Sequence, residues 1–136
     1  MPVAGYSGTP LLKKLGLKEA MKVQVFNMPD DYFAWLEKNI SPQLIGKKGL
    51  PDFIHLFVRN KKEYEKELKK LNPVFKANPD IIVWVSWYKK SSGIPTDITE
   101  TYIRNFALQN DLVDIKVCAV SEQWSGLKFV VPVAKR

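Results

Sequence analysis

The stretch DIIVWVSWYKKSSGIPTDITETYIRNFA, residues 80–107, determines the fold class that we predict for this chain. Residues 80–87 form a strongly apolar run, which is typical of a buried strand. A loop with two lysines, two serines and a glycine follows. Ile98, Tyr102 and Phe106 then recur every four residues, which predicts a helix over residues 97–109. A buried strand that leads through a loop into an amphipathic helix is the building unit of α/β proteins.

A similar unit opens the chain. Residues 22–27, KVQVFN, alternate between polar and apolar side chains and predict a first strand. Apolar side chains at i, i+3 and i+7 indicate a helix over residues 32–40. The next segment, PQLIGKKGLP at residues 42–51, has two glycines and two prolines and therefore predicts a loop.

A second unit begins at residue 52. The run DFIHLFV, residues 52–58, is almost continuously apolar, which suits a strand covered on both faces in a parallel sheet. Tyr64 and Leu68 belong to the apolar stripe of the helix that follows. We expect Asn72-Pro73 to end this helix, because proline restricts the residue before it and lacks an N–H group.

The last part of the chain predicts two strands without a helix between them. LVDIKVCAV at residues 112–120 and LKFVVPV at residues 127–133 are the strands, and Trp124-Ser125-Gly126 is the predicted turn. So short a connection requires an antiparallel hairpin. Pro132 indicates that the final strand ends at a sheet edge or outside the ladder. The complete order predicts one α/β domain over residues 1–136, with a small open Rossmann-like sheet that is mostly parallel and has a C-terminal antiparallel hairpin.

Composition is that of an ordinary folded protein, with 46% hydrophobic and 26% charged residues. The net charge of +7 favours polyanion partners, but the lysines are spread along the chain, so nucleic acid is not the favoured partner. The single cysteine, Cys118, excludes an intrachain disulfide. The N-terminus has no signal pattern, and no apolar run approaches the roughly 18 residues that span a bilayer. We therefore expect a cytoplasmic protein without membrane association.

Four segments together resemble one known family. They are GYSGTPLLKKLG at residues 5–16, DFIHLFV at residues 52–58, VSWYKKSSGIPTDITE at residues 85–100 and VCAVSEQWSGLKFV at residues 117–130. In these segments the chain is similar to the bacterial domain of unknown function 3052 family, which is uncharacterised. The resemblance implies a bacterial source and brings no activity with it.

The predicted strand order also resembles part of a class I methyltransferase fold, namely its first strand and its second half. Such folds have glycines after the first strand, which let the backbone approach the ligand. Here the corresponding residues 26–33, FNMPDDYF, contain no glycine. The chain also has no room for the second strand, whose acidic residue would hold a ribose. We therefore expect a degenerate methyltransferase-like fold that binds no cofactor.

The loop after residues 80–87 has the components of an anion site. Ligands of open α/β sheets lie beyond the carboxyl ends of strands, and the paired lysines are expected there. Hydroxyl groups, backbone N–H groups and a helix N-terminus would all favour a negative ligand. The ligand-binding residues that we predict in this loop are Lys89, Lys90, Ser91, Ser92, Gly93 and Thr96.

The same loop also suits an ordinary corner between a strand and a helix. Gly93 and Pro95 are turn formers. Thr96 or Asp97 is placed to cap the helix, and Asp97 with Glu100 has the spacing of a capping box. The loop does not match the phosphate-binding pattern GxxxxGK[ST]. Both interpretations remain open, although a simple corner does not require the paired lysines.

The N-terminal segment GYSGTP, residues 5–10, supplies the other half of the predicted site. In this interpretation Tyr6, Ser7 and Thr9 bind the ligand beside the loop of residues 89–97. The alternative is that Thr9 caps a short helix over residues 11–15, with Pro10 as its first residue. Tyr6 has no role in such a cap.

Three other features are predicted to be structural. His55 lies in a strand without a second histidine or a cysteine pair, so a hydrogen-bonded core histidine is favoured over a zinc ligand. Cys118 lies in a strand whose side chains alternate between polar and apolar, and we predict that it is a small core residue. Asp30 and Asp31 follow a strand, and we favour helix capping over cation binding or a role as base.

The aromatic residues near the loop have two interpretations. Trp84, Trp87, Tyr88 and Trp124 could form a surface that stacks the bases of single-stranded nucleic acid. Packing in the core and the hairpin is favoured instead, since Trp84 lies inside an apolar run. Glu122 is the acidic partner that we expect for a loop lysine.

From the sequence we favour a non-catalytic binding or regulatory domain. It would recognise a small anionic ligand or a protein partner at the loop of residues 89–97. The alternatives are a degenerate methyltransferase-like enzyme and a single-stranded nucleic-acid binder. We predict no catalytic residue, no metal and no cofactor, and we expect the first strand to offer an edge for a homodimer.

Overall fold

The computed structural model describes residues 10–46 and 49–136, and within them the chain forms an open five-stranded sheet covered by helices on both faces. The helices are α1 (Leu11–Leu15), α2 (Tyr32–Leu36), α3 (Lys61–Ala77) and α4 (Glu100–Leu108). The strands are β1 (Val23–Phe26), β2 (Phe53–Phe57), β3 (Ile82–Tyr88), β4 (Val113–Ala119) and β5 (Trp124–Val130).

The sheet order is β1-β2-β3-β5-β4. Strands β1, β2 and β3 are parallel, whereas β5 runs antiparallel to both β3 and β4. The predicted α/β class, the alternation of strands and helices and the antiparallel C-terminal hairpin are therefore confirmed. The hairpin turns back so that its second strand lies inside the sheet, and β1 and β4 form the two edges.

Each face of the sheet has its own core, because successive side chains of a strand point to opposite faces. On one face Ile54 and Leu56 of β2 pack with buried residues of α3 and α4. On the other face Phe53 and Phe57 pack with buried residues of α1 and α2. Every residue of β2 is buried, which explains why this strand has an unbroken apolar run instead of an alternating one.

The prediction that α3 ends at Asn72-Pro73 was wrong, because the helix continues through Pro73 to Ala77. Proline cannot donate to the carbonyl four residues earlier, and this normally costs several kcal/mol. Here the last turn carries Phe75, which is buried in the core, and Val74, which packs against it. Tertiary packing therefore outweighs the local preference of proline.

The predicted turn at residues 124–126 was also wrong, since Trp124, Ser125 and Gly126 begin β5. The chain reverses just before them. There the Ser121 hydroxyl accepts hydrogen bonds from the backbone N–H groups of Gln123 and Trp124, at 3.3 Å each. Of the two predicted positions for Pro132, at a sheet edge or outside the ladder, the second is confirmed, because β5 is an inner strand and ends at Val130.

The segment between α2 and β2 covers part of the outer edge of β1. The helix ends at Leu36 rather than residue 40, and Glu37 adopts a left-handed conformation with φ of 56°. Further along, Leu44 pairs in parallel with Val23, and the Ile45 N–H donates to the Val23 carbonyl at 2.9 Å. This pairing occupies part of the edge that we expected to serve a homodimer.

The short helix α1 has the predicted bounds, but Pro10 is the residue before the helix instead of its first residue. The predicted cap, Thr9, lies outside the described residues. Gly16 ends the helix at φ 73°, a left-handed conformation that glycine adopts without a steric penalty. The Leu15 carbonyl then accepts a hydrogen bond from Trp84 Nε1 at 2.9 Å, which fixes the end of α1 on the sheet.

Replacing Gly126 with alanine is expected to destabilise the protein. A Cβ atom there would lie 3.1 Å from Val120 Cγ2 and 3.2 Å from both Ser86 Oγ and Trp84 Cε3. Overpacking of this kind typically costs about 1–3 kcal/mol. Urea denaturation would measure the loss for Gly126→Ala.

The matched control is Gly46→Ala, because among the described residues, its chain neighbours aside, no atom lies within 4 Å of a Cβ built at Gly46. This variant should stay within about 0.5 kcal/mol of the wild type. Wild-type stability in Gly126→Ala would show that the sheet has room at this point and would contradict the packing described above.

Candidate functional site

The first half of the loop after β3 is a compact turn closed by its own hydrogen bonds. Residues Lys90–Ser92 form a 3₁₀ turn, and Gly93 follows with φ of 75°. The Ser92 hydroxyl donates to the Lys89 carbonyl at 2.6 Å and accepts from the Ile94 N–H at 3.1 Å. The Gly93 N–H donates to the Lys90 carbonyl. The predicted contributions of Ser92 and Gly93 to an anion site are therefore used within the turn.

The second half of the loop is tied to the corner between β2 and α3. The Thr96 hydroxyl donates to the Arg59 carbonyl at 2.7 Å. The Asp97 carboxylate accepts from the Lys61 N–H, the first N–H of α3, at 2.9 Å. The loop therefore packs over the carboxyl end of β2, and the hydroxyl of Thr96 has a structural partner.

The expectation that Thr96 or Asp97 caps α4 was wrong. The cap is Thr99, whose hydroxyl accepts from the Tyr102 N–H at 3.1 Å. Thr96, Asp97 and Thr99 each have a side-chain oxygen that could cap the helix. The backbone groups that Thr96 and Asp97 bind, at Arg59 and Lys61, lie far away in the sequence. Local spacing alone could not distinguish the cap from the two tethers.

An open depression of about 370 Å³ lies between the end of β3 and the start of α4. Both predicted lysines, Lys89 and Lys90, contribute to its wall. The backbone N–H groups of Glu100 and Thr101, in the first turn of α4, donate no hydrogen bond within the described part of the chain. The lining residues are Trp87, Tyr88, Lys89, Lys90, Ile98, Thr99, Glu100, Thr101 and Ser125.

Lys89 is held at the junction of β3 and the β4–β5 turn. Its backbone N–H donates to the Gln123 carbonyl at 2.9 Å. Partial burial lowers the pKa of the Lys89 ammonium, and Glu122 opposes this effect by attraction. We predicted Glu122 as the acidic partner of a loop lysine, but Glu122 forms no ion pair within 4.0 Å with Lys89 or Lys90, so this prediction was wrong for a direct pair. Lys14 lowers the pKa further by repulsion.

Among the described residues that line the depression, Glu100 is the one with a negatively charged side chain. Arg104 pairs with it at 2.7 Å and also with Asp114 at 3.0 Å. The hydrogen bonds that Arg104 donates to Glu100, the larger cause, and to Asp114 raise the pKa of Arg104. The pairing leaves the lysines and the N-terminus of α4 as the charges that an incoming ligand would meet.

The carboxyl end of β1 lacks the glycines of a dinucleotide fold, as predicted, yet the backbone still makes a left-handed turn there. Asn27 adopts φ of 58°, and asparagine tolerates this region better than most residues. Its side-chain amide donates to the Phe57 carbonyl at 2.9 Å. Asn27 therefore joins the ends of β1 and β2 at the place where such folds admit a cofactor. The sequence signal was an asparagine directly after a strand, which we missed.

Three residues of the predicted site belong to the N-terminal segment. Tyr6, Ser7 and Thr9 lie outside the described residues, so the expected meeting of residues 5–10 with the loop of residues 89–97 stays a prediction. Ser91 is exposed in the turn but does not line the depression.

His55 is a fully buried structural histidine, as predicted. Its Nδ1 is hydrogen-bonded to the Tyr32 hydroxyl at 2.8 Å, and its Nε2 to the Ser86 hydroxyl at 2.8 Å. Burial lowers the pKa of His55 to about 3. Because neutral imidazole has one donor and one acceptor nitrogen, both ring nitrogens are satisfied without a charge.

The remaining candidates are mostly structural. Trp84, Trp87 and Trp124 are buried, which confirms the core interpretation, and Trp124 packs on Tyr88 with ring centroids 4.2 Å apart. Cys118 is half-buried, and burial raises the pKa of its thiol.

Asp31 precedes α2 but its side chain makes no capping hydrogen bond, so the expected capping by this residue is wrong.

Within residues 10–46 and 49–136 there is no group of three His, Cys, Asp or Glu side chains that could hold a metal ion. No helix in the same part of the chain is long and apolar enough to cross a membrane.

Comparisons with known proteins yield a structural likeness only. No family model and no curated protein matches the chain. One solved structure is described as a protein in the NADB-Rossmann superfamily from Streptococcus agalactiae, and it is similar with a TM-score of 0.46 and 11% sequence identity. The alignment covers 93% of this chain and 59% of that chain, so this chain spans less than two thirds of the other.

The buried imidazole of His55 predicts a specific sensitivity to acid. The unfolded chain takes up a proton on His55 below a pH of about 6.5, whereas the folded protein does so only near pH 3. The stability that depends on neutral His55 is therefore complete above pH 6.5 and is lost as the pH falls toward 3. Between pH 7 and pH 5 this group should lower the free energy of unfolding by about 2 kcal/mol.

Urea denaturation of the wild type and of His55→Gln at pH 7 and pH 5 would test this prediction. Glutamine keeps a polar side chain but does not titrate, so the variant, although less stable, should lose about 2 kcal/mol less than the wild type over this interval. Equal losses in the two proteins would contradict the assignment.

Proposed function

We propose that this protein is a non-catalytic binding domain that takes a small anionic ligand in the depression between β3 and α4. The observation that carries this proposal is that Lys89, Lys90, Glu100 and Thr101 line one open depression. The backbone N–H groups of Glu100 and Thr101 donate no hydrogen bond within the described residues. Two ammonium groups and a helix N-terminus favour a phosphate or a carboxylate group.

The ligand set differs from the one that the sequence suggested. The hydroxyls of Ser92 and Thr96 and the N–H of Gly93 already have partners within the chain. The proposed binding groups are therefore the two lysines and the first turn of α4. The tethers from Thr96 to Arg59 and from Asp97 to Lys61 serve to hold this turn in place.

The strand order supports the interpretation of the fold as a Rossmann-like sheet that retains the second half of a methyltransferase topology. We regard the chain as a bacterial, cytoplasmic protein of the domain of unknown function 3052 family. A methyltransferase-like enzyme is the weaker alternative, because Asn27 ties β1 to β2 where such enzymes have glycines and admit their cofactor. Single-stranded nucleic acid is also less favoured, since Trp84, Trp87 and Trp124 are buried.

A thermal-shift screen with inorganic phosphate, pyrophosphate, common nucleotides and S-adenosylmethionine tests the proposal. A ligand at one hundred times its dissociation constant should stabilise the native state by about 2.7 kcal/mol. The effect should be lost in the double variant Lys89→Ala/Lys90→Ala, which removes both side-chain charges.

The control is Lys62→Ala/Lys66→Ala, which removes two exposed charges from α3 and leaves the depression intact. It should respond to ligand as the wild type does. A ligand response that survives in Lys89→Ala/Lys90→Ala, or no response to any anion in the panel, would contradict the proposed site.

A further inference from the structure

The outer edge of β4 is a second surface, separate from the depression. β4 pairs with β5 only, and no other strand of the described residues lies beside it. The backbone N–H and C=O groups of such an edge can pair with a strand from another chain.

Two large apolar side chains are exposed on this strand. Ile115 and Val117 are 56% and 52% exposed, whereas most of the apolar side chains in the other strands are buried. Val117 lies directly opposite Leu127, which belongs to the core beneath α3 and α4. Val117 therefore extends the apolar surface of that face to the edge of the sheet.

The other face of the same edge is strongly basic. Lys116 lies directly opposite Lys128, and like charges in this position destabilise a sheet. The Lys116 ammonium donates to the Lys14 carbonyl at 3.2 Å. Burial lowers the pKa of Lys128, and the charges of Lys116 and Lys18 lower it further. Within the described residues neither Lys116 nor Lys128 has a carboxylate within 4.0 Å.

Protection of the edge against aggregation explains only part of this arrangement. A lysine and a bulge are common protective devices, and Lys116 and the irregular register between Asp114 and Lys116 fit that role. Lys128 lies on an inner strand, where it protects no edge and repels Lys116. The repulsion would be relieved by an acidic group placed between the two ammonium groups.

The features of this edge also distinguish between partners. A second copy of β4, paired antiparallel about Lys116, would bring like charges together. Single-stranded nucleic acid would satisfy the lysines but would leave Ile115 and Val117 exposed. An extended peptide satisfies both faces, because its side chains alternate between them.

We propose that the outer edge of β4 accepts a strand from a protein partner in which acidic and apolar side chains alternate. The acidic side chains lie over Lys116 and Lys128, and the apolar ones pack on Val117. The backbone hydrogen bonds of the added strand continue the sheet beyond β4.

Fluorescence anisotropy with a labelled peptide of alternating valine and glutamate tests this proposal. The wild type should bind it more tightly than a peptide with lysine in place of glutamate, and more tightly than one with the same residues arranged in blocks. Lys116→Glu should weaken binding of the valine–glutamate peptide at least about tenfold, because like charges then face each other. The same variant should bind the valine–lysine peptide better than the wild type does.

The control is Lys66→Glu, an identical charge change at an exposed position of α3, and its affinity should equal that of the wild type. Circular dichroism would verify that both variants are folded. Failure of the wild type to bind the alternating peptide would overturn the proposal. So would equal affinity in Lys116→Glu, or binding of an oligothymidylate but not of the peptide.

Discussion

The hydrogen bonds of buried His55 hold the centre of this structure in one arrangement. The imidazole joins α2, through Tyr32, to β3, through Ser86, and it lies on β2 directly opposite Trp84. All three bonded residues are fully buried, and a shift in strand register would leave their polar atoms without partners. Since β2 and β3 end side by side, this arrangement also determines where the Arg59 corner and Lys89 lie relative to each other.

The features that depend on burial could be predicted from the sequence. The apolar runs of β2 and β3 and the amphipathic pattern of α4 predicted the correct elements. A strand buried on both faces has a continuous apolar run, and a helix buried on one face has an apolar stripe. Features that depend on long-range contacts could not be predicted. Pro73 remains helical because Phe75 is buried, and Asp97 binds α3 instead of capping α4. The spacing of residues along the chain predicts neither the core contact of Phe75 nor the hydrogen bond of Asp97 with α3.

The same distinction applies to the candidate site. The position of Lys89 and Lys90 beyond a central strand followed from topology alone. The hydrogen bonds of Ser92 and Thr96 within the chain could not be predicted from topology. Hydroxyl groups of serine and threonine bind nearby backbone groups, and only the folded loop shows which groups are near. The N–H groups of Glu100 and Thr101, which donate no hydrogen bond within the described residues, were missed because their availability depends on Thr99 being the cap. The basic face around Lys116 and Lys128 was missed because it requires the pairing of β4 with β5.

Anion binding in the depression between β3 and α4 is tested most directly by a nuclear magnetic resonance titration of amide-labelled protein with inorganic pyrophosphate. Binding of pyrophosphate in the depression should give saturable shifts concentrated at the amides of Lys89, Lys90, Glu100 and Thr101, with the Asn27 end of β1 unaffected. Smaller changes are expected at Gly93 and Ile94, whose N–H groups remain bonded within the loop. Saturable shifts centred on Asn27 and the ends of β1 and β2, with none at the start of α4, would rule out the anion site at the depression and indicate a cofactor-type site instead.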